Sequence, residues 1–478
     1  MRGQSLSVKR AEVEFHNFAS LGNPESAIED YARKNERRRR WIRAYAQHIG
    51  EMSPFLEIGA NVGHSSYMLV NEFGAHGFAL DISEDSLRYG AVLQQRWNLP
   101  SAPVRIAGDA ANLPFADNSI RFIAAFQMLS QFIDMESVFR EAQRVLAPGG
   151  VFLFAEEPIR RLLSLRLYRC TLYQHMNAWE RKLYDRGLLG YLVRDVVGAQ
   201  QEESIGIRQN HTMGFRDWDR LIRRYFVDPH YEIFAAENVW GERLVQRVAA
   251  RLDREHPERV VAHLLGGTIS AISRKAGAPG ALMFDPSKFE RHLRCPDCHG
   301  ALGRTPAGAL QCVSCNFQAA EAEGVYNLLP SREKRELYPG DREDVIDFSR
   351  PGHEARLLEG WYELEGAYGN KHRWMGSHAS ARLSAATPGP RRLRIRGYVC
   401  EGHPVKFSVR VNGESAGAWN LVRPGPFVVE PEAPQSSQYE VALQAHPTWS
   451  APPDERSLSV SISMIRLIGA NDSAPASG

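Results

Sequence analysis

The chain has 478 residues, 24% of them charged and 43% hydrophobic, with a formal net charge of +2. At roughly 150 residues per domain this length predicts about three domains, and the balanced charge gives no strong nucleic-acid signal. No stretch approaches the roughly 20 apolar residues of a membrane span, and the N-terminus lacks a signal-peptide apolar core, so a cytoplasmic protein is expected.

Residues 1 to about 48 read as helices. The basic run Arg37 to Arg40 sits beside Trp41, Ile42 and Tyr45 and reads as a solvated helix face. Next comes Phe55-Leu-Glu57-Ile-Gly59-Ala-Asn61-Val-Gly63-His-Ser-Ser66, a strand, a glycine turn and a helix start. Glycine there permits positive φ and close approach of a ligand, while exposed amides at the helix start favour an anionic group.

Strands are then predicted at Gly77–Asp81, Pro103–Ile106, Ile120–Phe126 and Val151–Ala155, with helices at Glu84 to about Arg96 and around Met135–Val145. Strands alternating with helices predict an α/β Rossmann-like domain with a largely parallel sheet, whose ligands bind at the carboxyl ends of the strands. Those ends carry Glu57, Asp81, Asp109, Gln127 and Glu156-Glu157. A nicotinamide fingerprint needs Gly-x-Gly-x-x-Gly, but Asn61 and His64 stand where two of its glycines would be.

Taken together, these motifs resemble class I S-adenosylmethionine (SAM)-dependent methyltransferases of the methyltransferase type 11 kind. Glu57-x-Gly59-x-x-x-Gly63 matches the first motif, Asp81 the second, Gly108-Asp109-Ala110 with Leu113-Pro114-Phe115 the third, and Arg144 to Gly150 the turn before the fifth strand. The resemblance implies SAM as cofactor. The turn of Gly59, Asn61 and Gly63 would lie against its amino acid part, Asp81 with Ile82 beside it at the ribose, Asp109 and Ala110 at the adenine, and Glu57 and Gln127 close by. The family often has glycine where Asn61 stands, so that side chain must turn away from the ligand or bond to it.

A helical substrate cap is implied over 159–225, and two last strands, at Tyr231–Ala235 and Thr268–Ser273, would complete a seven-stranded sheet in a domain covering 1–275. Methyl transfer needs a base only if the acceptor has a proton to lose. The candidates are Glu156, Glu157 and His211, with at most one of the adjacent glutamates facing the pocket directly. Arg160 and Arg161 are the candidate neutralisers of those glutamates.

A Gly/Pro/Ala-rich linker, Ala276 to Pro286, precedes Cys295-Pro-Asp-Cys298 and Cys312-Val-Ser-Cys315. Two such knuckles can place four thiolates around a structural zinc ion. The two other cysteines, Cys170 and Cys400, are expected to be buried thiols. Residues 287–330 resemble the zinc-ribbon Trm112-like family, whose free-standing members bind and activate methyltransferases.

From about 345 to 470 the hydrophobic period becomes two. Strands are predicted around Leu393–Val399, Val405–Val411, Tyr439–Leu443 and Leu458–Ile462, with Asn412-Gly413 as a hairpin turn, giving an all-β sandwich. Leu358-Glu-Gly-Trp361-Tyr362 with Arg373-Trp374-Met375-Gly376 resembles sandwiches appended to enzymes of surface-polysaccharide synthesis. That resemblance implies a sugar or glycan-precursor acceptor, with Trp361, Trp374, Trp419 and Trp449 as candidate stacking residues. The alternatives are methylation of a tRNA, a translation protein or a small metabolite, or a non-catalytic protein that binds SAM or glycan.

Overall fold

The computed structural model describes residues 24–132, 134–160, 213–235, 256–338, 340, 342–366, 371–387, 389–422 and 424–469, with Lys9, Val13, Trp179, Lys182 and Ala249 besides. Residues 24–160, 213–235 and 256–334 fall in one compact unit and 335–469 in a second. No helix among the described residues is long and apolar enough to cross a membrane.

The first unit is organised on a sheet. Helix α1 (Pro24–Ala44) leads to β1 (Phe55–Ile58), α2 (His64–Phe73), β2 (Gly77–Asp81), α3 (Glu84–Arg96), β3 (Val104–Ala107), β4 (Ile120–Phe126), α4 (Met135–Val145) and β5 (Leu146–Ile159). After the undescribed stretch come α5 (Phe215–Tyr225), β6 (Val227–Ala235), α6 (Pro257–Leu265) and β7 (Gly267–Arg274). Strands β1, β2 and β4 are buried along their whole length, as continuous apolar runs covered on both faces must be. The order is β3-β2-β1-β4-β5-β7-β6, parallel through β5, with β7 antiparallel to both its neighbours. The winding reverses between β1 and β4, which puts a ligand crevice at the carboxyl ends of those strands.

The sheet has nine strands, two beyond the expected seven. The extra pair, β11 (Glu321–Ala322) and β12 (Val325–Asn327), comes from the ribbon segment, and β12 lies parallel to β3 with Val325 opposite Arg105. The rest of that segment forms a small sheet of β8 (Leu302–Arg304), β9 (Leu310–Cys312) and β10 (Gln318–Ala319). Its apolar residues, Phe289, Leu293, Leu302 and Leu310 among them, belong to the same core as Phe78, Phe115 and Phe139. A module too small for its own core thus uses the neighbouring one.

The expected linker is a strap, not a spacer. Arg121 donates to Gly280 O, and the Phe284 ring packs on Phe78 and His292 at centroid distances of 5.5 and 5.1 Å. Of the expected cap, 161–212 apart from Trp179 and Lys182 lies outside the described residues, His211 and Cys170 included. Its far end, α5, is core-forming: Trp218 is fully buried and stacks on Phe154 at 5.3 Å.

The second unit holds two sheets. One runs β14 (Trp361–Glu365), β15 (His372–Met375), β23 (Val460–Gly469), β17 (Arg391–Val399) and β20 (Gly425–Val429), with β13 (Val345–Asp347) and β21 (Glu432–Ala433) attached. The other runs β16 (His378–Ser384), β22 (Gln438–His446), β18 (Val405–Val411) and β19 (Glu414–Leu421). Leu393, Ile395, Phe407, Val409, Val441 and Ile462 alternate into a shared interior, and every second residue of β18 is buried. Asn412 and Gly413, with φ of 50° and 83°, make the two-residue turn between β18 and β19. Cys400 is half-buried rather than buried.

Candidate functional site

The strand-end residues gather on one edge of the sheet. Gly59 and Gly63 have φ of 69° and 81°, and a Cβ at Gly59 would also come within 2.8 Å of Met128 Cβ, so both backbone and packing exclude a larger residue there. Asn61 has φ 54°, a conformation that glycine adopts freely and Asn better than most other residues, which explains how it replaces the usual glycine. Its Oδ1 accepts from Tyr31 Oη at 3.4 Å.

Asp81 ties the turn to the next helix. Its Oδ2 accepts from the Asn61 amide at 2.7 Å and its Oδ1 from the Ser83 amide at 2.8 Å, while Ser83 caps α3. A carboxylate oxygen takes two hydrogen bonds, so acceptor capacity for ligand hydroxyls remains beyond these two amides. Ile82 beside it is half-buried. Asp109 and Ala110 are buried just past β3, and Asp109 Oδ1 accepts from the Ala111 amide at 2.9 Å. Gln127 is exposed at the end of β4, with φ 55° and its amide on Ala155 O.

Glu57 is buried under the turn and accepts from Ser66 Oγ. Burial pushes its carboxyl up to about 7, opposed by the Ser66 hydroxyl and by the charge of Arg38.

Neither candidate glutamate is a free base. Glu157, fully buried, accepts three backbone amides, from Met128 and Leu129 at 2.8 Å and Ser130 at 3.0 Å, which fixes the turn after β4. Burial raises its carboxyl against those bonds. Glu156 points to the other side, at a strand irregularity where its φ is 67°, and pairs with Arg37 and, at 3.1 Å, with Arg38. The neutralising arginines therefore come from α1, not from Arg160, and Arg161 lies outside the described residues.

Helix α1 is the part that sequence reasoning missed. Arg38 is only 4% exposed, so the basic run is not simply a solvated face. Its guanidinium donates to Ser65 Oγ at 2.7 Å and Glu156, contacts His64 Nε2 at 2.9 Å and lies 4.3 Å over the Phe126 ring. Asn35 donates to His64 O at 2.8 Å and accepts from Ser65 Oγ at 3.1 Å, and Tyr31 stacks on His64 at 4.3 Å. Burial, with the positive charges of Arg38 and Lys34, holds the His64 imidazole well below its ordinary range, so it is neutral and accepts from Arg38. The signal was a 3-4 spacing, Ile28, Tyr31, Asn35, Arg38, Ile42, all buried, in which two polar residues occupy the apolar register.

The ribbon segment grips the loop that carries Asp109. The Ala116 amide donates to His292 O at 2.9 Å, the Arg294 amide to Pro114 O at 3.1 Å, and Asn112 Nδ2 to Pro296 O at 3.3 Å. Glu141 on α4 accepts from the Leu113 amide at 2.9 Å and pairs with Arg144 at 2.7 Å and Arg294 at 3.3 Å. Past β12, the Leu328 amide donates to Ala107 O, and Asn327 Nδ2 donates to Glu84 on α3 at 2.9 Å.

The four sulfurs of Cys295, Cys298, Cys312 and Cys315 lie within 4.8 Å of one another, with Cys295–Cys315 at 3.6 Å and Cys298–Cys312 at 3.4 Å. A tetrahedral zinc site with Zn–S near 2.3 Å requires sulfurs about 3.8 Å apart, so the set fits that ion and leaves no open position.

Residues 56–154 match the family model described as "Methyltransferase domain". Among curated relatives, the chain is 33% identical over 139 residues to a malonyl-[acyl-carrier protein] O-methyltransferase of Methylococcus capsulatus, covering 28% of this chain and 49% of that one. It is 31% identical over 97 residues to a sterol 24-C-methyltransferase of Gibberella zeae, covering 20% and 26%. Similarity also extends to a demethylmenaquinone methyltransferase of Listeria welshimeri, 34% over 97 residues, covering 20% and 41%. The chain thus spans no more than about half the length of these relatives. Geranyl diphosphate C-methyltransferase of Streptomyces coelicolor, solved with S-adenosyl-L-homocysteine, aligns at 13% identity and TM-score 0.32 over 54% of this chain and 89% of that one. Residues 56–154 of this chain are a SAM-dependent methyltransferase domain.

Proposed function

We propose that the whole chain transfers a methyl group from SAM to a sugar or glycan precursor. The observation that carries the cofactor half is the crevice edge itself: a left-handed turn at 59–63 tied by its Asn61 amide to Asp81, with Asp109 on the neighbouring strand end. In this reading Gly59, Asn61 and Gly63 hold the amino acid part of SAM, Asp81 with Ile82 the ribose, and Asp109 with Ala110 the adenine, with Glu57 and Gln127 lining the approach. SAM supplies the methyl group as an electrophile, and the residues described position donor and acceptor in line. Glu156 and Glu157 serve to hold the site in shape rather than to take a proton. Zinc held by Cys295, Cys298, Cys312 and Cys315 is structural and steadies the loop of Asp109.

The acceptor half draws support from the sandwich and its resemblance to those of surface-polysaccharide enzymes. Incubating the full chain with SAM labelled in its methyl group, and separately with nucleotide sugars, neutral polysaccharides and malonyl-acyl carrier protein, tests it. Label in a sugar fraction is the expected result; label confined to the carrier protein would replace the acceptor.

A further inference from the structure

Two guanidiniums of α1 share one carboxylate. Among the described residues Arg37 pairs with Glu156 alone, and Arg38 reaches the same carboxylate at 3.1 Å. Arg38 is the buried one, and its other terminal nitrogen goes to the Ser65 hydroxyl and to His64 Nε2, neither of which carries a negative charge. Its Nε is buried and has no hydrogen-bond partner. His64 accepts that bond at Nε2, so its own proton sits on Nδ1, which is also buried and also lacks a partner. The pair of guanidiniums is short of one negative charge, and two buried N–H groups beside it are short of an acceptor.

These groups gather at the start of α2. Gly63, the residue before its first turn, has no side chain to cap it, and the first amides of a helix have no intrahelical acceptor. Lys34 adds its charge beside His64 while pairing with Asp30 at 3.2 Å. An uncapped helix start beside a buried guanidinium favours an anion, and a planar carboxylate matches the guanidinium fork. The left-handed turn from Gly59 to Gly63 leads directly into this helix start. Glu156 meets Arg38 from the end of β5, where its φ of 67° is a conformation that persists in a residue other than glycine only when the surroundings impose it.

We infer that Glu156 is a stand-in for the carboxylate of SAM: it neutralises Arg38 until the cofactor's carboxylate takes that guanidinium over at the start of α2. Arg37 keeps hold of Glu156, so the exchange leaves no charge unpaired. This rests on the cofactor reading above and adds Arg38 and His64 to the groups that position SAM. The test is calorimetric titration of SAM, and of decarboxylated SAM, which lacks only that carboxylate, into the full chain as wild type, Glu156→Gln and Arg38→Lys, each shown to be folded by its melting transition. The wild type should bind SAM about tenfold more tightly than the decarboxylated form. Glu156→Gln removes the internal competitor, so SAM should bind about tenfold more tightly again while decarboxylated SAM is unmoved. Arg38→Lys, which keeps the charge but loses the fork, should bring SAM down towards the decarboxylated form; Glu156→Gln decides the matter by itself where that variant does not fold. Equal affinity of the two ligands in the wild type, unchanged or weaker SAM binding in Glu156→Gln, or a shift that is the same for both ligands overturns the exchange and leaves the cofactor reading standing. Binding of neither ligand by the wild type removes the cofactor reading, and the exchange with it.

Discussion

Residues 287–330 and residues 345–469 are both made largely of short strands, but they are stabilised in different ways. The ribbon segment has one small sheet, shares the core of the main sheet, and sends β12 in to pair with β3. The sandwich faces its two sheets inward over apolar side chains that form a cluster of their own. A forty-residue module cannot bury enough surface to order itself and needs a metal and a neighbour; one of about 120 residues can. The ribbon's dependence places its four-cysteine cluster close in sequence to His292, Arg294 and Pro296, which bond the Asp109 loop.

The largest expected effect follows from that dependence. Removing zinc with a chelator, or substituting Cys298→Ser, withdraws a binding free energy on the order of 10 kcal/mol from the ribbon. Calorimetric titration should then find SAM affinity reduced about tenfold or more as the 109–117 loop loses its partners, while the sandwich's own melting transition stays in place. Unchanged SAM affinity after complete metal loss would break the contrast between the two modules.

Arg38→Ala tests the other support of the site. It leaves Glu156 with Arg37 alone and withdraws a donor from His64 and Ser65 in a buried setting, so urea unfolding of the first unit should show a loss of about 3–5 kcal/mol. Substitutions in the sandwich should leave that transition where it is.

Next in size is a pH effect. An acid raised in the folded state favours the protonated form, so Glu57 contributes stability that is complete below its ordinary value of 4.5 and is lost as pH rises toward about 7. The first unit should lose up to about 1.4 kcal/mol per pH unit from this group across that window, and Glu57→Gln should flatten the slope without touching the sandwich transition. Smallest is Asn327→Ala, which removes the donor to Glu84 and should cost about 1 kcal/mol because Glu84 keeps its pairing with Arg88.

What the sequence made legible was the periodic and the spaced. Alternating strands and helices, Asn412-Gly413 as a turn and the two Cys-x-x-Cys knuckles each report a local geometry, and the structure has each of them in place. What it hid was long-range partnership. Nothing in Val325-Tyr-Asn327 indicates pairing with β3 more than two hundred residues earlier, since short apolar strands fit many edges. Glu156 and Glu157 stand at a strand end as candidate bases, and the sequence did not show their partners, Arg37, Arg38 and three amides of the 128–130 turn, which lie elsewhere in the chain. Arg38 was hidden by its own neighbours, three solvent-facing or half-exposed arginines that made the run look uniform.

The most direct test is calorimetric titration of SAM into the full chain and into Asp81→Ala, at a temperature where melting confirms both are folded. The account predicts one SAM per wild-type chain and a loss of affinity of about a hundredfold in the variant, as expected when two charge-assisted bonds to ribose hydroxyls are removed. No heat of binding in the wild type, or the same affinity in both proteins, would contradict it.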